Sequence, residues 1–179
     1  MKTYIALLRG INVGGEKKVL MAELRDFLTE IGFKNVQTYI QSGNIIFNSE
    51  EEEQFKLEEK IRDAILANFG FEVPVLVRTH QELEAIFKNS PFSEEKKKSS
   101  YFSLLYNTPN KNLANEASKI EYENEEIIIT ANCVYFYSAI GYGKTKYNNN
   151  FFERKLKVTA TARNYKTMVK LLELAAKND

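Results

Sequence analysis

The sequence predicts an α+β protein made of two similar halves. Three observations carry that expectation. Over residues 3–78, apolar runs of strand length and stretches of helical spacing alternate in the order βαββαβ. After a polar stretch at 89–100, a second series reads βαββα. Glycine and asparagine fall at the joints between these elements. The first order is the ferredoxin-like pattern, so both halves are expected to hold an antiparallel sheet covered by helices. The halves are placed at 1–90 and 91–179, the second with an extra C-terminal helix.

Each element has its own justification. Residues 3–8 (Thr-Tyr-Ile-Ala-Leu-Leu) are nearly all apolar and read as a central strand. A glycine-rich loop follows. Leu20, Leu24, Phe27, Leu28 and Ile31 then repeat at helical spacing until Gly32. Residues 35–40 and 45–48 are strands around a tight turn at Gln41-Ser42-Gly43-Asn44, where Gly43 supplies a positive φ. Ser49 is a candidate N-cap, and Glu50 to Glu53 complement the positive end of the next helix. That helix carries Leu57, Ile61, Ala64, Ile65 and Phe69 and ends at Gly70. Residues 73–78 form the last strand of this half, placed at an edge because Pro74 has no N–H to donate. A short helix follows with Leu83, Ile86 and Phe87.

In the second half, 101–106 is a strand and 110–118 a weak helix. Residues 126–130 and 133–138 form a hairpin about Ala131-Asn132. After Gly141-Tyr142-Gly143 come helices at about 149–157 and 163–177. The last is expected to turn Tyr165, Met168, Val169, Leu172 and Ala176 inward.

Composition narrows the function classes. The 179 residues carry a net charge of +1, so no global field draws the protein to a polyanion, and a basic site must be local. The lone cysteine, Cys133, rules out an intramolecular disulfide and fits a reducing, cytoplasmic setting. Neither a signal peptide nor a bilayer-length apolar run is read, so no membrane partner is expected. His80 is the only histidine; it is read as a surface or cap residue, and a histidine-rich metal site is excluded. Cys133 is read as a buried hydrophobe and Lys96 to Lys98 as a solvated linker. No metal or cofactor is implied.

Two stretches stand apart: Leu8-Arg9-Gly10-Ile11-Asn12-Val13-Gly14-Gly15 and Thr38-Tyr39-Ile40-Gln41-Ser42-Gly43-Asn44. In a βαββαβ unit the loop after the first strand and the turn between the second and third leave the sheet on the same side. The glycine loop, read as ending at a helix N-terminus with Lys17 and Lys18 just beyond, would suit an anion. The dinucleotide fingerprint G-x-G-x-x-G is absent. Gly10 and Gly15 have phosphate-loop spacing, but Glu16 follows in place of lysine.

These stretches, with Met21-Ala22-Glu23-Leu24-Arg25 and Thr161-Ala162-Arg163-Asn164-Tyr165-Lys166-Thr167, closely resemble the bacterial family known as domain of unknown function 1697. Tyr142-Gly143 and Phe151-Phe152-Glu153 are similar to its second half. The family often has proline where this chain has Leu20, and tryptophan where it has Tyr165. The resemblance implies an α+β fold with ferredoxin-like halves in a bacterial cytosolic protein, and no activity.

The leading expectation is a binding protein for a phosphate-bearing ligand, a nucleotide or nucleic acid. Its contacts would come from Arg9, Asn12, Gly14, Gly15, Lys17 and Lys18, from Ser42 and Asn44, and from Arg163 and Asn164. One alternative is an enzyme on a small anionic substrate, using Glu16, Glu23 or Tyr39. The other makes the motifs structural, with Asn12, Asn44 and Asn164 bonded to backbone groups. The direction of the asparagine side chains discriminates between them.

Overall fold

Six consecutive buried residues, Thr3 to Leu8, make the centre of the first sheet. They belong to strand β1 (Lys2–Leu8) of a computed structural model that describes residues 1–179. The chain divides into two units, Met1–Glu84 with Lys170–Asp179, and Ala85–Val169.

The first unit follows β1 with α1 (Met21–Glu30), β2 (Lys34–Tyr39), β3 (Asn44–Ser49), α2 (Gln54–Phe69) and β4 (Val75–Thr79). The strands lie in the order β2-β3-β1-β4, each pair antiparallel. That is the expected ferredoxin-like sheet, with the strand after Pro74 at an edge. Alternation on β1 sends Tyr4, Ala6 and Leu8 into a core with Ile45, Phe47, Val75 and Val77. Leu24 and Leu28 of α1 and Leu57, Ile61 and Ile65 of α2 close that core, and Phe33 stacks on Phe47 at 4.4 Å.

The end of the chain completes this unit. Asn178 accepts from Gln37 through Oδ1 (2.7 Å) and from Asn48 Nδ2 through its carbonyl (3.1 Å). His80 Nδ1 meets Asp179 Oδ2 at 2.5 Å. Burial acts to raise the Asp179 carboxyl, but hydrogen bonds to Thr3 and His80 outweigh it and leave its pKa below the usual range.

The second unit has the same strand order. Helix α3 (His80–Lys88) spans the division, and α4 (Glu94–Lys97) is a single turn. Then come β5 (Ser100–Leu105), α5 (Lys111–Ser118), β6 (Glu125–Ile129), β7 (Cys133–Ser138), α6 (Asn149–Leu156), β8 (Ala160–Asn164) and α7 (Tyr165–Asn178), which from Lys170 onward belongs to the first unit. The sheet runs β6-β7-β5-β8, again antiparallel throughout. Strand β8 completes the βαββα order as a second βαββαβ. Its core joins Leu105, Val134, Phe136 and Ala160 to Phe151, Phe152 and Leu156.

Several local expectations change. Residues 160–164 form a strand instead of leading into the last helix, because they pair with β5 from Tyr101 to Leu105. Helix α7 buries Met168, Leu171 and Ala175, while Val169 is 39% exposed, so its inner face is rotated by about one residue. The N-cap of α2 is Glu53. Ser49 ends β3 and accepts from the Glu51 N–H. Lys96 and Lys97 are not a solvated linker. Lys96 lies 4.7 Å from the Tyr137 ring and pairs with Glu126, and buried Lys97 sits 4.1 Å above Phe87.

Tyr147 gives the second unit a pH signature. Its ring is 1% exposed, and its hydroxyl donates to the Ile120 carbonyl at 2.5 Å. Burial, helped by the nearby Glu125 carboxylate, pushes its pKa up to about 12. Burial also raises Tyr135, which donates to the Ile86 carbonyl at 2.7 Å. Between pH 10 and 12 the folded state therefore holds a proton that the unfolded chain has lost, and stability falls as pH rises. Urea unfolding across this range should show a loss of about 2–3 kcal/mol from Tyr147 alone. Its phenolate absorbance should appear together with unfolding.

Candidate functional site

Three loops meet where β1 ends. Register places Leu7 opposite Asn44 at the start of β3, and Leu8 opposite Val75 at the start of β4. The Leu8 N–H donates to the Gly43 carbonyl at 2.8 Å and the Arg9 N–H to the Pro74 carbonyl at 3.0 Å. The β1–α1 loop and the β2–β3 turn thus converge as the strand order requires. The α2–β4 loop joins them. Its signal was present in the sequence, since the strand order that brings the first two loops together also begins β4 at that end.

The centre of the junction is Asn12. Its Nδ2 donates to the Val19 carbonyl at 3.1 Å and to the Gln41 carbonyl at 2.8 Å. Its Oδ1 accepts from the Val19 N–H at 2.9 Å. The orientation of the amide follows from its partners: turned over, its oxygen would face two carbonyls. Asn12 itself is left-handed, with φ 54°, a conformation that asparagine tolerates better than most residues.

Within the loop that Asn12 closes, Val13 and Glu16 form a small antiparallel bridge. Gly14 and Gly15 are its tip, at φ 61° and 80°, the two positive values that a type I′ turn needs. Lys17 is left-handed as well, and its Nζ donates to the Glu72 carbonyl at 2.8 Å. Both lysines are exposed. The expected glycine loop at a helix N-terminus is therefore corrected. Helix α1 starts at Met21 with Leu20 as N-cap, and the glycines belong to a hairpin upstream of it. A chain closing its own hairpin at Glu16 must run on through Val19 to reach Asn12 before it can turn into the helix.

The second loop is locked in a similar way. Asn44 is fully buried; its Nδ2 donates to the Tyr39 carbonyl at 3.1 Å and to Ser42 Oγ at 2.9 Å. Gly43 has a packing reason to be glycine. A β-carbon there would lie 2.5 Å from Leu8 Cβ. At Gly14 and Gly15 a β-carbon would meet nothing within 4 Å, so only their backbone angles call for glycine. Ile40 also has a positive φ, 49°, and its side chain is 50% exposed. A β-branched residue there carries about 1–2 kcal/mol of strain.

Eight of the ten expected site residues thus lie in the first unit, at this junction. Arg163 and Asn164 lie in the second. Arg163 is buried in β8, donating to Thr161 Oγ1 at 2.8 Å and to the Ala162 carbonyl at 2.9 Å. Asn164 caps α7 through the Thr167 N–H at 2.8 Å. Of the candidate acid–base groups, Glu16 and Glu23 are exposed and Tyr39 is half-buried. Cys133 is buried, which pushes its thiol pKa up. No group of three or more His, Cys, Asp or Glu side chains is arranged to hold a metal ion. No helix is long and apolar enough to cross a membrane. Two clefts in the first unit, of about 350 and 390 Å³, are lined by other residues, including Phe33 and Ser49 in one and Phe27 and Ala67 in the other.

Residues 1–135 match the family described as protein of unknown function DUF1697. The chain belongs to that family. A conserved bacterial protein from Streptococcus pneumoniae has a similar structure, with a TM-score of 0.75 and 29% identity over 97% of this chain and 98% of that one. No curated protein matches the chain.

The two kinds of glycine at the junction should behave differently. Gly43→Ala combines a clash with a positive φ and should cost about 2–4 kcal/mol in urea unfolding. Gly14→Ala meets only the backbone term and should cost about 1 kcal/mol. Equal losses would mean that Gly43 does not approach Leu8 as described.

Proposed function

We propose that this DUF1697 member is a cytoplasmic bacterial binding protein for a phosphate-bearing ligand, and that the junction at the end of β1 is its site. The observation that carries the reading is the displayed hairpin. Gly14 and Gly15 are exposed, with open space where a β-carbon would stand, and Lys17 and Lys18 follow after Glu16. Backbone amides at such a tip and two ammonium groups beside it suit phosphate oxygens. Arg9, half-buried at the base of the loop, adds a third cation.

The roles of the site residues then divide. Asn12, Ser42 and Asn44 direct these hydrogen bonds to the chain itself, so they are positioning residues for the loops. Ligand contact falls to Arg9, Lys18, the Gly14-Gly15 backbone and Lys17, whose Nζ donates one of its three N–H groups to the Glu72 carbonyl and would offer the others to a ligand. This takes one part from the structural alternative, that the asparagines lock the loops, and keeps binding on the groups that the lock displays. Cytoplasmic placement draws on the single buried cysteine, and a bacterial source on the similarity to the streptococcal protein.

Lys17→Ala with Lys18→Ala tests the reading. Binding of labelled oligonucleotides and of nucleotides should be measured across a salt series by fluorescence anisotropy. The double variant should bind more weakly, and the slope of log affinity against log salt should shrink by about 1–2. Its melting temperature should stay within about 1 °C of the parent, because exposed lysines add little stability. Parent and variant binding alike, at every salt concentration, would remove the lysines from the site.

A further inference from the structure

Three exposed aliphatic residues adjoin the Asn12 junction along the chain. Val13 is 68% exposed, Leu20 59% and Ile40 50%, against a core in which most large apolar side chains are almost fully buried. Each is the chain neighbour of a residue in the Asn12 hydrogen-bond set: Val13 of Asn12 itself, Leu20 of Val19, and Ile40 of Gln41. One residue is about 3.8 Å of chain, so the set that joins the two loops also holds the backbones of these three residues near one another. Lys17 and Lys18 lie in the same loop, between Val13 and Leu20.

Ile40 makes the exposure informative. It occupies a left-handed position that asparagine or glycine would fill without strain, and half of its side chain faces solvent. Neither its backbone nor the core accounts for an isoleucine there. An outside contact would, because strain of this kind clusters at sites where a ligand or partner is met.

We infer that the ligand is a single-stranded nucleic acid, with its phosphates on Lys17 and Lys18 and its unstacked bases against Val13, Leu20 and Ile40. The inference rests on the phosphate-binding reading above and narrows it. The argument is one of complementary chemistry. The patch offers cations and apolar surface side by side. A single strand presents both phosphates and apolar base faces, whereas a duplex stacks its base faces inside and turns phosphates outward. A small nucleotide would cover only part of a patch drawn from two loops.

The test uses the full chain, a short single-stranded RNA, the same sequence as single-stranded DNA, the matching duplex, and vesicles containing anionic lipid. Two variants separate the contributions: Val13→Ser with Ile40→Asn, which removes apolar surface, and Lys17→Ala with Lys18→Ala, which removes charge. The parent should bind single strands more tightly than duplex. The Val13→Ser, Ile40→Asn variant should lose about tenfold in single-strand affinity with its salt slope unchanged, as expected when aliphatic side chains lose apolar contact. Its melting temperature should hold or rise, since asparagine suits the left-handed position, so a folding defect is distinguishable from a binding defect. Equal affinity for single strand and duplex, unaffected by the aliphatic substitutions, would overturn the single-strand assignment and leave the phosphate reading standing. Binding to vesicles in preference to strands would assign the patch to a lipid surface and overturn it. Binding to no polyanion would overturn both readings together.

Discussion

One carboxamide holds the loops at one end of the first unit together. Asn12 joins the two halves of its own loop through both polar groups of Val19, and joins that loop to the β2–β3 turn through the Gln41 carbonyl. A loop of this length has many conformations to lose, and a single side chain that makes all of these bonds replaces the ladder that a longer hairpin would need. Around it the chain takes left-handed backbone at Gly10, Asn12, Gly14, Gly15, Lys17, Ile40 and Gly43. Such a path forms only where bonds of this kind over-determine it.

The Gly43 contact is the second support. Leu8 presses its side chain against the Gly43 backbone while its N–H donates to the Gly43 carbonyl. This fixes the turn against the end of β1, and Asn44 then ties the turn across its base to Tyr39. The two motifs therefore act as one scaffold. The asparagines and Gly43 face the chain, and the parts that face outward are lysines, aliphatic side chains and the Gly14-Gly15 tip. Rigid display of this kind lowers the entropy lost on binding.

Much of this was legible in the sequence for identifiable reasons. Buried strands such as Thr3 to Leu8 carry a long apolar signal, and helical spacing in α2 points to the residues that it buries. The meeting of the two loops followed from strand order alone. Strand β8 was hidden because Ala160-Thr161-Ala162-Arg163-Asn164 mixes alanine and arginine with threonine and runs directly into α7; pairing with β5 decides its conformation. The glycine loop resembled a helix-terminus anion site because local sequence does not reveal that Val13 pairs with Glu16 and that Asn12 reaches Val19. Lys96 and Lys97 looked solvated because the rings beneath them, Tyr137 and Phe87, are distant in sequence. The strain at Ile40 has no sequence signal, since isoleucine predicts a negative φ.

Amide hydrogen exchange on the Asn12→Ala variant tests the central claim most directly. The Val19 N–H donates to Asn12 Oδ1 at 2.9 Å and should be protected in the parent. In the variant its exchange should rise to the rate of an open loop, with faster exchange spreading through residues 13–18, while amides in the middle of β1 keep their protection. Unchanged protection at Val19 in the variant would contradict the account, because the loops would then be held together by something other than the Asn12 carboxamide.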